Sequence, residues 1–509
     1  MSQSSIGSTL SSIIEWCSGG CVPSGDAKPL RVMLLTHNMA GLYDDWATRL
    51  PIWLDRLAAV IAQQRPDFLA IHMQEVGGSN WKKGGLDNVQ PLVDAIARRF
   101  PQYWSSGALV DMRTSVDTFT ALGAVYLVHR RVLRRVDIWQ DEPASDVSGG
   151  GAYCPLSSLA SPLMAAPAAD PRYCAHTQFP SHFFEGGKVS RKGFLLTSWR
   201  LDHVPVDLGN IHNIHDASNW VALEQRLSSY AARRQSTLKF VLEQRQARVA
   251  RRGGGDVALF LFGDFNFRLT MPDVIAHLAG PGAAKAAQTA LASAQTEAKA
   301  AAKAAADAKG DAKADAKADA KADAKADAKG AKAAEPIIEV GAPAGGGLGA
   351  LSLGSKWFHL AKPTDVLEQP SIFRQFDNEL IEFGKTSPPA ALHELPISFP
   401  PSYAYEDQPP AANPALRRST TVVDAGGGEA TPPGGAAAAG GGGGGGGVPA
   451  ACEFSPRRCP AWCDRVLMDD HAQRLVHAST KPPSYTSELQ APVITDHNAV
   501  CLMFEVAPP

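Results

Sequence analysis

Residues 257–268 of the chain, VALFLFGDFNFR, give the clearest indication of how it folds. The first six residues are apolar, which is typical of a strand buried on both faces of a sheet. Gly263 and Asp264 then end the apolar run with a turn residue and a carboxylate. Open α/β sheets build their sites beyond the carboxyl ends of their strands. The segment therefore predicts a buried strand that delivers Asp264 to a functional site.

Similar apolar runs alternate with helical patterns along the rest of the chain. Further strands are predicted at 31–39 (RVMLLTHNM), 68–76 (FLAIHMQEV), 121–130 (ALGAVYLVHR), 194–202 (FLLTSWRLD), 204–214 (VPVDLGNIHNI) and 499–506 (AVCLMFEV). Helices are predicted at 51–67, 92–100 and 223–252, where apolar residues recur with helical spacing. Buried strands that alternate with helices indicate a layered α/β domain.

Two low-complexity segments interrupt these patterns. Residues 280–350 are rich in Ala, Lys and Asp, and residues 408–450 are rich in Gly, Pro and Ala. The repeat Asp-Ala-Lys-Ala places like charges four residues apart, which is mildly repulsive on a helix. We therefore expect a solvated, partly helical first insertion without a core and a disordered second insertion. With a Ser/Gly-rich mobile leader at 1–28, the predicted organisation is one catalytic domain at 29–507 with two insertions.

The composition excludes some classes of protein. Lys and Arg number 49 and Asp and Glu number 51, so the net charge of -2 argues against a globally basic nucleic-acid binder. No apolar run reaches the ~18 residues that span a bilayer, and no secretory pattern is recognised. The eight cysteines form no CxxC pair, so we expect a cytoplasmic protein with reduced thiols. Association with a membrane surface stays open, and no protein partner can be inferred.

Five segments place polar residues where predicted strands begin or end. They are 36–38 (THN), 74–75 (QE), 210–212 (NIH), 263–268 (GDFNFR) and 495–498 (TDHN). Each segment alone fits a helix cap, a salt bridge or a buried histidine at least as well as a catalytic role. Together they supply carboxylates, amides and imidazoles without a thiolate set, and oxygen-rich ligands suit Mg²⁺ better than zinc.

Several longer motifs resemble those of a known family. They are QEVGG (74–78), SRKGF (190–194), NIHNIHDASN (210–219), GDFNFRL (263–269), FPPSYAY (399–405), CPAWCDRVL (459–467), PSYTSE (483–488) and TDHNAV (495–500). These motifs resemble inositol polyphosphate 5-phosphatases of the endonuclease/exonuclease/phosphatase superfamily, and most of all the type I members. The match covers about 31–275, 356–406 and 452–506 and skips both insertions. The resemblance implies a four-layered α/β sandwich like that of deoxyribonuclease I.

The resemblance also implies a metal site and a general base. Glu75 is expected to be the principal Mg²⁺ ligand, assisted by Asn38, with Asp496 as a further ligand. Asp264 is expected to act as the general base on the attacking water, and Asn266 to orient that water or the phosphate. These roles suit phosphate-ester hydrolysis, in which a metal neutralises developing charge and a positioned water attacks phosphorus in line.

Further residues are assigned by the same resemblance. His497 is expected to contact the scissile phosphate, Asp464 to orient His497, and His212 to donate to a phosphate oxygen. The expected substrate-binding residues are Arg191, Lys192, Arg465, Tyr403 and Asn498. Simpler interpretations stay open, because Asp464 and Arg465 could form a buried ion pair and Arg191 and Lys192 could be ordinary surface charge.

The implied activity is removal of the 5-phosphate from inositol 1,4,5-trisphosphate, and from the 1,3,4,5-tetrakisphosphate, which terminates Ca²⁺ signalling. Ala404 stands where members that act on lipids typically carry Lys, which favours a soluble inositol polyphosphate as substrate. Two other departures are His37, where many members have Trp, and Thr495 in place of Ser or Gly. The alternatives are a phosphatase of membrane phosphoinositides, a nuclease of the same superfamily, and a scaffold without catalytic activity.

Overall fold

The computed structural model of the protein describes residues 28–83, 85–106, 109–111, 118–141, 150–159, 172–315, 338–340, 351–354, 357–360, 370–386, 391–406, 454–455, 457–488 and 494–508. The predicted second insertion at 408–450 lies outside the described residues, and so does the predicted leader apart from Lys28.

The strands are β1 (Leu30–Asn38), β2 (Phe68–Gln74), β3 (Tyr103–Ser105), β4 (Leu109–Val110), β5 (Gly123–His129), β6 (Val136–Asp141), β7 (Gly151–Pro155), β8 (Cys174–Gln178), β9 (Gly193–Leu201), β10 (Val204–His212), β11 (Ala258–Asp264), β12 (Ile338–Val340), β13 (Leu351–Gly354), β14 (Trp357–Leu360), β15 (Asp464–Met468), β16 (Ser484–Glu488) and β17 (Ala499–Val506). The α-helices are α1 (Trp46–Gln64), α2 (Val89–Arg99), α3 (Asn219–Glu224), α4 (Ser229–Arg251), α5 (Met271–Ala279), α6 (Ala283–Asp315), α7 (Pro370–Arg374), α8 (Glu379–Thr386) and α9 (Asp470–His477).

Two large mixed sheets form the centre of the described part of the chain. The first has the order β16-β17-β1-β2-β5-β3, with β4 also paired to β5. The second has the order β15-β11-β10-β9-β6-β7, with β8 also paired to β9. Each sheet contains a parallel pair, β1 with β2 in the first and β10 with β11 in the second. A small antiparallel sheet of β12, β13 and β14 is separate from both.

The hydrophobic core is divided into three layers of side chains. Alternate residues of a strand point to opposite faces. In β1, Val32 and Leu34 therefore pack between the two sheets, whereas Met33 and Leu35 pack under α1 and α2. On the far side, α4 and α8 cover the second sheet. The order of helices, sheet, sheet and helices confirms the predicted four-layered α/β sandwich.

The long helix predicted at 223–252 is divided in two. The helix α3 ends at Glu224, and α4 begins only at Ser229. Ser228 caps the second helix because its hydroxyl oxygen accepts a hydrogen bond from the Ala231 amide (3.2 Å). The sequence periodicity across 223–230 therefore concealed a turn, since a serine can begin a new helix within an apolar pattern.

The first part of the predicted insertion at 280–350 packs on the domain. Ala287 and Leu291 of α6 are buried, in the hydrophobic cluster that continues from between the sheets to α3 and α5. Gln288, on the same helix, donates a hydrogen bond to the carbonyl of Leu223 (3.0 Å). We infer that the solvated part of this insertion begins after Leu291. Residues 316–337 and 341–350 lie outside the described part of the chain.

The helices of the described residues include none that is both long enough and apolar enough to cross a bilayer. The longest of them, α6, alternates alanines with lysines and acidic residues.

A core substitution tests the packing between the sheets. Phe260 of β11 is fully buried, and its ring stacks on Phe504 of β17 with centroids 5.0 Å apart. Phe260→Ala is expected to lower the free energy of unfolding by about 3–5 kcal/mol because it leaves a cavity between the sheets. Urea denaturation followed by circular dichroism measures the loss. Ile381→Ala, at a residue that is 57% exposed, is the control; equal effects of the two substitutions would contradict this packing.

Candidate active site

The strand registers bring the predicted polar segments to one edge of the sandwich. Asn38 pairs with Gln74 at the carboxyl ends of β1 and β2, and His212 pairs with Asp264 at the carboxyl ends of β10 and β11. The antiparallel β15 begins beside Asp264. Because the sheets are stacked with these ends together, residues distant in sequence line one cavity of about 310 Å³. Its lining residues are Asn38, Ala40, Glu75, Ser190, Arg191, Lys192, His212, His215, Asp264, Asn266, Arg268, Tyr403, Arg458, Asp496 and His497.

Asp264 is held by hydrogen bonds from both sheets. Its Oδ2 accepts a bond from Nδ2 of Asn38 (3.2 Å), and its Oδ1 accepts one from the Asn266 amide (2.9 Å). Nε2 of His212 lies 3.2 Å from Oδ2. Burial alone would raise the pKa of Asp264, but the hydrogen bond with His212 and the positive charges of His497 and Lys192 hold that pKa well below its usual range. Asp264 is therefore ionised at neutral pH.

His497 forms a buried ion pair with Asp464. Nδ1 of His497 lies 2.7 Å from Oδ2 of Asp464, and the same carboxylate accepts a hydrogen bond from the Ser402 hydroxyl (2.8 Å). Burial alone would lower the pKa of His497, but the carboxylates of Asp464 and Asp264 raise it to about 10. The ring therefore carries both protons at neutral pH. The Tyr403 ring lies beside it, with centroids 4.5 Å apart.

A second histidine supports the backbone of His497. Nδ1 of His37 accepts a hydrogen bond from the Trp53 indole (3.0 Å), and an indole nitrogen can only donate. The proton of the neutral His37 ring is then on Nε2, which lies 3.2 Å from the carbonyl oxygen of His497. Burial lowers the pKa of His37 to about 4, in agreement with a neutral ring. The departure at position 37 noted in the sequence thus places a donor beneath His497.

Glu75 lies among nitrogen-bearing side chains in the same cavity. Its carboxylate is 3.4 Å from the Arg191 guanidinium and 3.8 Å from Nε2 of His212. Nζ of Lys192 contacts the same Nε2. Burial would raise the pKa of Glu75, but the charges of His212, Lys192 and Arg191 lower it. The carboxylate is consequently ionised and available as a ligand.

Two cavity residues have strained backbone conformations. Glu75 has a φ of 54° and Asn266 also has a φ of 54°, in the left-handed region that residues other than glycine seldom adopt. Each follows the carboxyl end of a central strand, β2 and β11 respectively. Strain of this kind persists where the surrounding structure imposes it, and it is concentrated at functional sites.

The donor set fits a hard divalent cation beside Glu75. Asn38, Asp264 and Asp496 add oxygen donors from the same cavity. A second group, Asp264, Asp464 and His497, also has ligand atoms within 4.8 Å of one another. His497 is protonated there and has no lone pair to offer, so we interpret that group as a hydrogen-bonded pair beside the base.

The structure brings together most of the predicted site residues. The ten that line the cavity are Asn38, Glu75, Arg191, Lys192, His212, Asp264, Asn266, Tyr403, Asp496 and His497. Asp464 is fully buried directly behind His497. Asn498 does not line the cavity. It is buried, and its backbone N–H donates a hydrogen bond to the Ser402 carbonyl (2.7 Å).

The expectation that Arg465 contacts a phosphate has to be corrected. Its guanidinium is buried and binds Asp377, which it contacts closely, and Glu394 at 3.0 Å. Neighbouring residues of a strand point to opposite faces. Because Asp464 faces His497, Arg465 must face the other way. Arg465 therefore does form a buried ion pair, as the alternative interpretation held, but its partners are Asp377 and Glu394 and not Asp464.

Four charged or polar lining residues were not predicted, namely Ser190, His215, Arg268 and Arg458. Arg268 donates a hydrogen bond to Oδ1 of Asn266 (2.8 Å), and its guanidinium lies 4.7 Å from the centre of the Tyr403 ring. The motif GDFNFR contained a signal for Arg268, since the arginine follows the catalytic segment directly. His215 and Arg458 likewise lie within or just before quoted motifs, at 210–219 and 459–467.

The position of Arg465 leads to a stability prediction. Arg465→Ala is expected to lower the free energy of unfolding by about 3 kcal/mol, at the lower end for a broken buried ion pair, because Arg374 still contacts both carboxylates. Chemical denaturation of the purified variant measures this. Arg191→Ala is the control, because its partly exposed side chain should contribute less than about 1 kcal/mol. A stable Arg465→Ala protein would show that the arginine has no structural role.

Comparison with known proteins agrees with this geometry. The model of the endonuclease/exonuclease/phosphatase family matches residues 35–474. The Homo sapiens protein named inositol polyphosphate-5-phosphatase A is 27% identical over 492 residues, which cover 94% of this chain and 93% of the relative. A Caenorhabditis elegans protein named probable type I inositol 1,4,5-trisphosphate 5-phosphatase is 24% identical over 479 residues, covering 94% of this chain and 100% of the relative.

Among solved structures, the inositol polyphosphate 5-phosphatase domain of SPsynaptojanin, in complex with inositol (1,4)-bisphosphate and a calcium ion, is 12% identical. It covers 94% of this chain and 84% of its own, with a TM-score of 0.41, a value too low to support a conclusion. The family match spans most of the chain, and the curated relatives carry the names that the motifs indicated. The resemblance to inositol polyphosphate 5-phosphatases is therefore confirmed, and the chain belongs to the endonuclease/exonuclease/phosphatase family.

Proposed function

We propose that the protein is a Mg²⁺-dependent phosphomonoesterase that removes the 5-phosphate from inositol 1,4,5-trisphosphate, and from the 1,3,4,5-tetrakisphosphate. Through this reaction it would terminate inositol phosphate and Ca²⁺ signalling. The observation that carries the proposal is one small cavity that holds an ionised Asp264, a protonated His497 and several cationic side chains. The names of the curated relatives support the same reaction and substrate class.

The charges of the cavity suit a substrate with several phosphates. The cationic lining residues are Arg191, Lys192, Arg268, Arg458 and the protonated His497, against three carboxylates from Glu75, Asp264 and Asp496. Burial lowers the pKa of Lys192 to about 8, which still leaves it mostly protonated at neutral pH. An excess of positive charge in a partly enclosed cavity attracts a polyanion of matching size. The cavity volume of about 310 Å³ suits a single small molecule.

The residues of the chain divide the chemistry between a metal-binding group and a base. Glu75, Asn38 and Asp496 would hold Mg²⁺. Bound there, Mg²⁺ would neutralise charge that develops on the phosphate and on the leaving oxygen. Asp264, which is hydrogen-bonded to Asn38, accepts the proton of the attacking water, since its carboxylate is ionised and already fixed by two hydrogen bonds.

His497 and its neighbours stabilise the phosphate itself. Because Nδ1 of His497 is bound to Asp464, the ring presents its Nε2 proton to a phosphate oxygen. The Lys192 ammonium supplies a donor beside Glu75, and the adjacent His212 would exchange its bond to Asp264 for one to a phosphate oxygen. Asn266 is held by the carbonyl of Asn213 (3.1 Å), so its amide is oriented before substrate binds.

A soluble substrate is favoured over a membrane lipid. At the position where lipid-acting members carry lysine, Ala404 is buried and offers no charge to a headgroup. The alternative, a phosphatase of membrane phosphoinositides, requires that other lining residues replace that cation. A nuclease would need a broad basic groove, whereas the site is a small cavity.

A substrate panel tests the proposal. Purified protein is expected to release phosphate from inositol 1,4,5-trisphosphate with Mg²⁺, and a chelator should abolish release because Glu75 then has no cation to bind. Malachite-green detection, with product identification by ion chromatography, measures the reaction. Micellar phosphatidylinositol 4,5-bisphosphate is the competing substrate. Preference for the lipid would favour the alternative, and inertness towards every inositol phosphate and lipid would refute both.

Removal of the proposed general base should strongly lower the turnover of the enzyme. Asp264→Ala is expected to lower kcat by on the order of 10³-fold or more, because it removes the ionised carboxylate that accepts the proton of the attacking water. Steady-state kinetics measure the loss, and circular dichroism checks that the fold is retained. Asp273→Ala, at a carboxylate that is 36% exposed on α5, is the matched control and should keep full activity. Near-normal turnover by Asp264→Ala would remove Asp264 from the mechanism.

A further inference from the structure

Behind the cavity, outside its lining, a buried arginine joins three elements. Arg234 of α4 is fully buried, and its Nε and Nη2 donate to the two carboxylate oxygens of Glu379 on α8 (2.8 and 2.7 Å). Its Nη1 donates to Oδ1 of Asp216 (2.6 Å). We call Arg234, Asp216 and Glu379 the Arg234 network. All three side chains are less than 5% exposed.

The Arg234 network reaches two of the loops that carry cavity residues. Nη1 of Arg234 also donates to the carbonyl of Ile214 (3.0 Å), in the loop that follows His212 at the end of β10. Oε1 of Glu379 accepts a hydrogen bond from the Arg268 amide (2.9 Å), in the loop that follows Asp264 at the end of β11. A single guanidinium thus spans the two loops, directly on one side and through Glu379 on the other.

A second contact from α4 reinforces the first. Thr237, one turn after Arg234, donates its hydroxyl proton to Oδ1 of Asn213 (2.7 Å). Nδ2 of Asn266 donates to the carbonyl of Asn213 (3.1 Å). Asn266 has a left-handed backbone conformation, which persists only where the surrounding structure imposes it. Helix α4 therefore holds Asn266 through Asn213 and holds Arg268 through Glu379.

The Arg234 network is better explained as a device that fixes the positions of the loops than as one that adds to the free energy of folding. Replacing a buried ionic group with apolar residues is often neutral or stabilising, so an ionic network with an excess carboxylate is an expensive way to fill a core. A forked guanidinium, by contrast, fixes the direction of each bond. Reacting groups have to be held within about 0.5 Å of their productive positions, and rigid elements do this better than loops.

We propose that Arg234 is a positioning residue for the phosphatase reaction: it fixes the loops after β10 and β11, and through them Asn266 and Arg268, without touching the substrate. This inference rests on the proposed function. Glu379 belongs to a segment that the chain reaches only after the first insertion, so a distant part of the sequence completes the support of the catalytic loop.

The kinetic test compares two arginines of the same helix. Arg245 lies three turns after Arg234 and binds the buried Asp207 (3.0 Å) at the opposite end of β10, away from the cavity. Arg234→Lys keeps the charge but loses the fork, and it is expected to lower kcat by about 10- to 100-fold with KM changed less than about 3-fold. Arg245→Lys is expected to leave kcat within about 2-fold, although both variants lose a buried ion-pair geometry.

Melting temperatures of both variants identify effects on folding. If Arg234→Lys and Arg245→Lys lose stability equally but keep the wild-type kcat per folded molecule, Arg234 is a structural residue and the proposal is overturned. If Arg234→Lys does not fold, Thr237→Val carries the test, because it removes one hydroxyl and keeps the side-chain volume. For that variant the expected result is again a lower kcat at an almost unchanged KM.

Hydrogen exchange tests the same support without any substrate. In Arg234→Lys, amides of 264–270 and 213–216 are expected to exchange at least about 10-fold faster than in the wild type, while amides of β10 at 204–208 stay protected. Unchanged exchange in both loops would overturn the proposal even if the enzyme is active. A wild-type protein that hydrolyses no inositol phosphate would refute the proposed function, and the exchange result would then report on the loop support separately.

Discussion

A buried cluster of amide side chains joins the two sheets beneath the cavity, and the site depends on it. Nε2 of Gln74 in the first sheet donates to Oδ1 of Asn210 in the second (2.8 Å). Nδ2 of Asn210 donates back to the carbonyls of Met73 (3.0 Å) and Gly123 (2.8 Å). Each amide group left without its partner here would cost about 1–3 kcal/mol. The apolar contacts between the sheets have no such direction, so these bonds, together with the hydroxyl contact of Tyr126 with Thr197 (2.7 Å), determine how one sheet sits on the other.

The cavity inherits its geometry from that register. With Gln74 and Asn210 joined, Glu75 follows directly after β2, and His212 lies two residues beyond Asn210 at the end of β10. Asn38 can then reach across the sheets to Asp264. Two parallel strand pairs, one in each sheet, thus present their carboxyl ends to the same small volume. A slide of one sheet over the other by a single residue, about 3.3 Å, would separate these side chains from their partners.

Opposite charges coexist in this volume because each has a partner of its own. Asp464 keeps His497 protonated, and the nearby positive charges keep Asp264 ionised. Glu75 is kept ionised by cations that also suit phosphate binding. The acid, the base and the metal ligand of the proposed reaction are therefore in the protonation states that it requires at the same pH, and an excess of positive charge remains for a polyanionic substrate. The Arg234 network extends this organisation behind the loops, where it is hidden from the substrate.

Much of this could be predicted from local sequence. Apolar runs followed by polar residues identified the central strands and the residues at their ends, because a strand that is buried on both faces is apolar along its whole length. The division of the helix at Ser228 and the packing of Ala287 and Leu291 could not be predicted from the sequence. A serine that caps a helix and an alanine that is buried are the same letters as a serine or an alanine in an exposed segment. Arg465 was misplaced because a motif shows which residues are adjacent but not which face each one takes.

By itself, the sequence determined the α/β class, the family and ten of the fifteen residues that line the cavity, since these depend on residue type and order. Only the tertiary structure decided where Arg465 points, that Asn498 lies outside the cavity lining and that Arg234 lies behind the loops after β10 and β11. Those contacts join residues up to 145 positions apart, as with Arg234 and Glu379. Their partners are chosen by strand register and sheet stacking, which are properties of the folded chain and not of any local segment.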